Sequence, residues 1–266
     1  FGYKVPGESD LFYGFSRTGH LAGAVAINFE ANLAEGKRLS ICFGGDLGPQ
    51  VLQQDASSSL LRPVQYPRES VDYLVLESTY GGQPRRQPLA YEDKIDALGY
   101  ALERALSPAR GANPRVVIPA FTLGRTQDLI VDLAYLITRT DFSQRIGGKA
   151  PTVVVDSSLA RHYSNSYRKE FDNWWFKRKD NERKMRLLNR DHALFAESEV
   201  VDVGALLDQL FSGEGRREVT SRTAVGSSFE LCYGRMDVKE GPVIYLSSSG
   251  MCSSGPVMGR LRENLR

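Results

Sequence analysis

Three side chains in the first third of the chain, His20, Asp46 and Glu77, are of types that bind metal ions or transfer protons. Asp46 follows an apolar alternation, Leu39–Phe43, which predicts a short buried strand that ends at a pair of glycines. A carboxylate in such a loop can cap a turn by accepting backbone N–H groups, or it can bind a metal ion from a rigid strand end. This stretch alone leaves both interpretations open.

His20 lies in a loop of small residues before a strand that is predicted to begin at Val25. The glycine-containing turn Ala34–Lys37 then predicts a hairpin whose second strand leads to Asp46. Such a hairpin would bring His20 and Asp46 to one edge of one sheet. Imidazole nitrogen and carboxylate oxygen are both zinc ligands, although a single histidine is more often a hydrogen-bonded polar residue.

Glu77 follows a nearly continuous apolar stretch, Val71–Leu76, which predicts a central strand covered on both faces. In α/β proteins, ligands bind at the loops that follow the carboxyl ends of the strands. From residue 89 onward, helical and strand patterns alternate, which is typical of a parallel α/β unit. The predicted elements are a helix at Leu89–Leu106, a strand at Arg115–Phe121, a helix at Gly124–Leu136, a strand at Thr152–Asp156, a helix at Ser158–Tyr167 and a strand at Pro242–Leu246. We therefore expect an α/β protein with one domain at 1–90 and a second at 91–266.

Several polar segments could contact phosphates. The Ser/Gly stretch Ser247–Gly255, between a predicted strand and a predicted helix, could offer amides and hydroxyls to an anion. The basic run Lys177–Arg186 follows two tryptophans and is either a solvated helix face or a single-strand-binding surface. Residues 49–70 and Ser212–Ser228 are predicted to be loops, and Ala205–Phe211 a helix.

The composition of the chain limits which kinds of partner we expect. The 266-residue chain has a net charge of +2, so a nucleic-acid surface must come from local clustering. No apolar run approaches the ~18 residues of a membrane span, so we expect no membrane partner. The three cysteines are far apart and odd in number, which favours buried thiols in a reducing cytoplasm.

Six motifs in order make the chain resemble a known family. They are Thr18–Ala24 (TGHLAGA), Gly44–Gly48 (GGDLG), Glu77–Gly81 (ESTYG), Pro119–Gln127 (PAFTLGRTQ), Asp156–Ala160 (DSSLA) and Ser248–Met251 (SSGM) with Gly255-Pro256. The chain closely resembles metallo-β-lactamase-fold nucleases that carry a β-CASP domain, and within them the RNA-processing branch of cleavage-and-polyadenylation nuclease homologues and bacterial RNA exonucleases. The resemblance implies part of a metallo-β-lactamase αββα sandwich followed by a parallel-sheet α/β β-CASP domain, and we expect both to be cut short at the ends of the chain.

The resemblance also implies roles. His20 would be a metal ligand, Asp46 the carboxylate that bridges two zinc ions, and Glu77 a catalytic carboxylate that partners a later histidine. The cleft for single-stranded RNA would be lined by the residues Gly124, Arg125, Ser248, Ser249, Gly250 and Met251. The histidine favours zinc over magnesium.

The family's His-x-His-x-Asp-His motif and its two later histidines are not in this sequence, and His162 and His192 match neither. We expect the missing ligands beyond the two ends, so that this chain alone is inactive and the intact protein is a zinc-dependent ribonuclease. The alternatives are an inactive scaffold or RNA-binding subunit, and a DNA-directed nuclease, whose branch usually has Asp-Thr-Thr at the position of Glu77. A homodimer or a processing-complex partner is left open.

Overall fold

A computed structural model describes residues 3–8, 10–21, 23–48, 70–83, 91–157, 159–164, 166, 221–225 and 229–264. The chain divides into two compact units, Phe1–Pro88 and Leu89–Arg266. Each unit contains a five-stranded sheet.

The first unit is a sheet in which the strands lie in sequence order, β1 to β5. The strands are β1 (Tyr3–Lys4), β2 (Leu11–Arg17), β3 (Val25–Asn32), β4 (Arg38–Phe43) and β5 (Tyr73–Val75). Strands β1 to β4 pair antiparallel, and β5 pairs parallel to β4. Because β2 and β4 both run opposite to β3, the strands β2, β4 and β5 all end at the same edge of the sheet.

The predicted hairpin is confirmed. Strands β3 and β4 pair from Ile27 with Phe43 to Asn32 with Arg38, and a short 3₁₀ turn, Ala34–Gly36, joins them. Gly36 has a φ of +71°, a backbone conformation that glycine adopts without steric cost, which explains why the turn contains it.

The faces of this sheet differ from the predicted ones. In β4 the polar alternates Ser40 and Cys42 are buried, whereas Phe43 is 45% exposed, so the apolar alternates face outward. The buried face carries its own hydrogen bonds, such as Asn28 Nδ2 to Ser16 Oγ at 2.7 Å, which satisfy polar groups away from water. The expectation that Val71–Leu76 is covered on both faces is wrong within the described residues, because β5 is an edge strand and Tyr73 is 60% exposed.

The second unit has a mixed sheet in the order β6-β10-β7-β9-β8. The strands are β6 (Arg115–Pro119), β7 (Thr152–Asp156), β8 (Ser221–Val225), β9 (Phe229–Tyr233) and β10 (Val243–Ser247), and the helices are α1 (Tyr91–Leu106), α2 (Arg125–Arg139), α3 (Phe142–Arg145) and α4 (Pro256–Asn264). All neighbouring strands pair parallel except β8, which pairs antiparallel with β9. The predicted α/β class with a parallel sheet is confirmed; the sandwich and β-CASP assignments stay predictions.

The core of this unit lies around its two central strands. All five residues of β7 and all five of β10 are buried, as expected for parallel strands covered by helices. Helix α2 buries Ile130, Leu133 and Ile137, a spacing of three and four residues that places them on one helix face.

Some sequence predictions are wrong, and others concern residues outside the described ranges. Residues 221–225 form β8, so Ser212–Ser228 is not entirely loop, and β9 was not predicted. Cys42 and Cys232 are buried free thiols, but Cys252 is only half-buried. The segment 49–69, the basic run 177–186, His192 and the helix expected at 205–211 lie outside the described residues. None of the helices in the described part of the chain is long and apolar enough to cross a bilayer.

Candidate functional site

Three loops meet at one edge of the first unit's sheet. They follow β2, β4 and β5, and they carry His20, Asp46 and Glu77 respectively. The common direction of these strands brings together residues that are 57 positions apart in the sequence. The sheet therefore positions all three side chains that sequence analysis selected in this unit.

His20 and Asp46 face each other across this edge. The distance from His20 Nε2 to Asp46 Oδ2 is 3.9 Å, and the side chains are 37% and 76% exposed. Two donors bound at ~2 Å to one tetrahedral zinc ion lie ~3.3 Å apart, so this pair is ~0.6 Å wider than a shared ion requires and still inside the ~4 Å limit that two such bonds can span. The distance is too long for a hydrogen bond between the two groups.

Glu77, rather than Asp46, accepts a hydrogen bond from a backbone amide of the loop that carries Asp46. The Leu47 amide donates to Glu77 Oε1 at 2.7 Å, and the Thr79 hydroxyl donates to Glu77 Oε2 at 2.9 Å. The turn-cap interpretation of a carboxylate therefore applies to Glu77, which reaches the loop from the neighbouring strand. Among the described residues, the Asp46 carboxylate has a polar side-chain contact with His20 alone, so it is directed at the imidazole.

The loops that carry His20 and Asp46 are in direct backbone contact. The Gly48 amide donates to the Thr18 carbonyl at 2.9 Å. A Cβ on Gly48 would lie 2.0 Å from the carbonyl oxygen of Gly19 and 2.6 Å from the backbone nitrogen of His20, so only glycine allows this close approach of the two loops. The two metal-binding candidates thus owe their proximity to a residue without a side chain.

Strand β5, which leads to Glu77, is fixed to β4 at its start. The Ser40 amide and hydroxyl donate to Asp72 Oδ2 at 2.7 and 2.8 Å, and the Asp72 amide donates back to the Ser40 carbonyl at 3.1 Å. The hydrogen bonds from the Ser40 hydroxyl and amide lower the pKa of Asp72, so this carboxylate is ionised at neutral pH. These bonds hold the register that aims Glu77 at Leu47.

The donor set fits part of a zinc centre. An imidazole and a carboxylate at 3.9 Å would supply two of the four ligands that zinc usually takes. Within the described ranges, no three His, Cys, Asp or Glu residues are grouped closely enough to complete a site. Further ligands would therefore have to come from residues other than those described.

The predicted RNA-binding residues of the second unit occupy two adjacent loops. Gly124 and Arg125 follow β6, and Ser248–Met251 follow β10, its neighbour in the sheet. The Ala120 amide donates to the Ser247 carbonyl at 3.0 Å, which continues the ladder past the strand ends. Gly124, with a φ of +86°, precedes helix α2, and its amide donates to Gln127 Oε1 at 2.7 Å.

The Ser/Gly loop does not present a row of free amides. The amide of Ser249 donates to Ser254, that of Cys252 to Ser249 and that of Val257 to Ser248, all at backbone oxygens. The Met251 amide donates to the Ser249 hydroxyl at 3.2 Å. The expectation of an amide-lined anion site is therefore not met by these four amides. On the adjacent loop, the side chain of Arg125 is a cation that is 57% exposed.

Arg125 is oriented by a carboxylate one helical turn away. Its Nη1 lies 3.3 Å from Asp128 Oδ2, and the other carboxylate oxygen of Asp128 is buried with no hydrogen-bond partner among the described residues. Burial raises the pKa of Asp128 to about 6, and the charge of Asp132 adds to this; Arg125 and Lys94 oppose it.

Sequence reasoning missed several residues that shape these loops. Phe121 is 52% exposed beside Gly250. Buried Gln127 donates to Ser164 Oγ at 3.1 Å, and Arg260 forms a buried ion pair with Asp156 at 3.0 Å. Phe121, Gln127 and Asp156 lie inside the motifs already singled out. Each motif therefore indicated that the segment matters, but not what these particular side chains do in it.

One comparison with known proteins finds a relative. The chain is 29% identical over 122 residues to an RNase J-like protein of Methanocaldococcus jannaschii. The match covers 46% of this chain and 25% of that protein, so the chain spans about a quarter of the relative's length. No protein-family model matches the chain.

Proposed function

We propose that this chain is part of a metal-dependent ribonuclease of the metallo-β-lactamase/β-CASP kind, which hydrolyses phosphodiester bonds of single-stranded RNA. The observation that carries the proposal is the His20–Asp46 pair, 3.9 Å apart on loops fixed by Gly48 and Glu77. The name of the RNase J-like relative supports the same class of activity.

In this proposal the first unit holds the metal and the second contacts the RNA. His20 and Asp46 would hold zinc, with Asp46 as the bridging carboxylate of a two-ion centre. Zinc ions in such a centre supply an activated water nucleophile and stabilise the charge on the phosphoryl oxygens. Glu77 keeps the Asp46 loop in place through the Leu47 amide, and its role as a catalytic carboxylate that partners a later histidine stays a prediction. Arg125 would attract the RNA backbone.

The proposal is tested with the intact protein by zinc content and by hydrolysis of a labelled single-stranded RNA. Asp46→Ala and His20→Ala should each lower bound zinc and abolish nearly all turnover, with the fold retained. The matched control is Glu8→Ala, an exposed carboxylate before β2 at the other edge of the sheet. This variant should hydrolyse RNA like the wild type.

Two results would redirect the assignment. Less than one equivalent of zinc, with RNA binding but no hydrolysis, would favour an inactive RNA-binding scaffold. Hydrolysis of single-stranded DNA in preference to RNA would favour the DNA-directed branch. Near-normal turnover in Asp46→Ala would exclude its role as a metal ligand.

A further inference from the structure

Three exposed apolar side chains lie in a row at the carboxyl edge of the second unit's sheet. Phe121 follows β6, Met251 follows β10 and Leu159 follows β7, and these strands are neighbours in that order. Their exposed fractions are 52%, 71% and 53%. We name this set the edge row. Large apolar side chains that are exposed together on adjacent loops are typical of an interaction surface, whereas single scattered ones are not.

The surroundings of the edge row favour a polyanion as its occupant. Residues 120–127, 157–163 and 248–258 contain two arginines, Arg125 and Arg161, and no acidic residue. The adjoining carboxylates, Asp128 and Asp156, are largely buried in ion pairs with Arg125 and Arg260. The amides of the Ser/Gly loop bond largely within that loop, so the backbone is not the group that receives the ligand. Exposed apolar side chains flanked by exposed cations, with the neighbouring carboxylates largely buried, match a strand of bases with a phosphate backbone.

Phe121 is the best-held member of the row. Its carbonyl oxygen accepts hydrogen bonds from both the hydroxyl and the amide of Thr126, at 2.7 and 3.2 Å. Its ring lies over Gly250, where a Cβ would be 3.1 Å from Phe121 Cδ2 and 3.3 Å from Cε2. One side of the ring is thus supported by backbone while half of the residue is open to solvent. A fixed, half-exposed aromatic ring is suited to stacking on a base.

We infer that the edge row is a nucleobase-binding track in which Phe121 stacks on a base of single-stranded RNA while Arg125 contacts the backbone. This inference rests on the proposed function and adds the mode of recognition: contact with bases, not only with phosphates. Stacking tolerates any base, because every base has a π-face, so the track does not select a sequence.

The experiment measures the dissociation constant of a single-stranded RNA at several salt concentrations, and that of an abasic oligomer with the same phosphates. Phe121→Ala should weaken RNA binding about 5- to 100-fold with no change in the salt slope, and it should leave abasic binding unaltered. Phe121→Trp should retain affinity. Arg125→Ala should weaken both ligands and reduce the salt slope by about 0.7.

Matched controls separate the site from general surface effects. Tyr100→Ala removes an aromatic ring that is 64% exposed on helix α1, and Arg110→Ala removes an exposed arginine before β6, at the opposite edge. Neither should change affinity. Quenching of 2-aminopurine in the bound RNA gives a second readout, which Phe121→Leu should reduce although it keeps an apolar contact with Gly250.

The outcomes distinguish the two proposals. If the wild type binds no RNA, the proposed function fails and the track with it. If the wild type binds RNA but Phe121→Ala binds equally well, or loses abasic binding in parallel, only the track is overturned and the row serves another partner, such as a protein. Wild-type binding that is equal for RNA and the abasic oligomer overturns it as well.

Discussion

Replacing Gly48 by alanine tests whether the proximity of His20 and Asp46 is what creates the metal site. The added methyl carbon would lie 2.0 Å from the carbonyl oxygen of Gly19, whereas non-bonded heavy atoms pack at about 3.5 Å. The two loops must therefore separate by about 1.5 Å at this point. Because the displaced atoms include the backbone nitrogen of His20, the whole histidine moves with its loop.

The expected consequence is a large loss of metal affinity with a moderate loss of stability. The present separation of 3.9 Å is close to the ~4 Å limit for two donors on one ion, so an outward movement of about 1 Å removes one ligand. A misplacement of this size costs about 100-fold in catalysis, and overpacking costs about 1–3 kcal/mol of the free energy of unfolding. Zinc titration calorimetry, RNA hydrolysis and urea denaturation measure the three quantities.

The matched control is Gly82→Ala in the same unit. No atom lies within 4 Å of a Cβ at Gly82, so this substitution should leave zinc affinity, hydrolysis and stability unchanged. Zinc affinity and turnover of Gly48→Ala within twofold of the wild type, with the fold intact, would refute the argument that this contact sets the donor geometry.

Two further predictions concern buried charges in the second unit. Asp128→Asn should raise the free energy of unfolding by about 3 kcal/mol at pH 7.5, because the folded-state pKa of Asp128 is about 6 against 3.8 when unfolded, and each pKa unit corresponds to about 1.4 kcal/mol. The difference in the free energy of unfolding between Asp128→Asn and the wild type should close as the pH falls from about 6 to 4, since the folded wild type then binds the proton more tightly than the unfolded chain does. A difference that is constant with pH would contradict the raised pKa of Asp128. Asp156→Ala should cost about 3–5 kcal/mol of the free energy of unfolding, because it leaves the buried Arg260 guanidinium without its buried carboxylate partner and with only the half-exposed Glu263. The double variant Asp156→Leu with Arg260→Met should cost clearly less; equal losses by urea denaturation would show that the charges are not coupled.

The sequence predicts strand direction better than it predicts which face of a strand is buried. The alternation in Leu39–Phe43 and the turn that precedes it were sufficient to place Asp46 at the same sheet edge as His20. Alternation defines two faces, however, and does not say which one other parts of the protein cover. That decision depends on tertiary neighbours, and here Ser40 and Cys42 are on the buried side.

Contacts between distant loops are also beyond local pattern. The Leu47–Glu77 hydrogen bond joins residues 30 positions apart, and the close approach of Gly48 to Gly19 joins two glycines that resemble those of any turn. Strand β9 was missed because it begins within three residues of a segment whose glycines and serines predict a loop. In the second unit, the motif around Gly124 predicted the loop, but the supporting role of Gln127 required its partner Ser164, which lies 37 positions later.

Asp46 and Glu77 show how one local pattern yields two roles. Each carboxylate lies in a glycine-containing loop that follows a strand, and both strands end at the same edge. The difference lies in the nearest donor: Glu77 reaches the Leu47 amide on the neighbouring loop, and this bond places the preceding residue, Asp46, opposite His20. Of two neighbouring carboxylates, the one whose oxygens are already used by protein donors can support the loop, and the one without such donors remains available to a cation. Among the described residues of this unit, Glu77 accepts such donors and supports the loop, whereas Asp46 is left available for the metal-binding role that we propose.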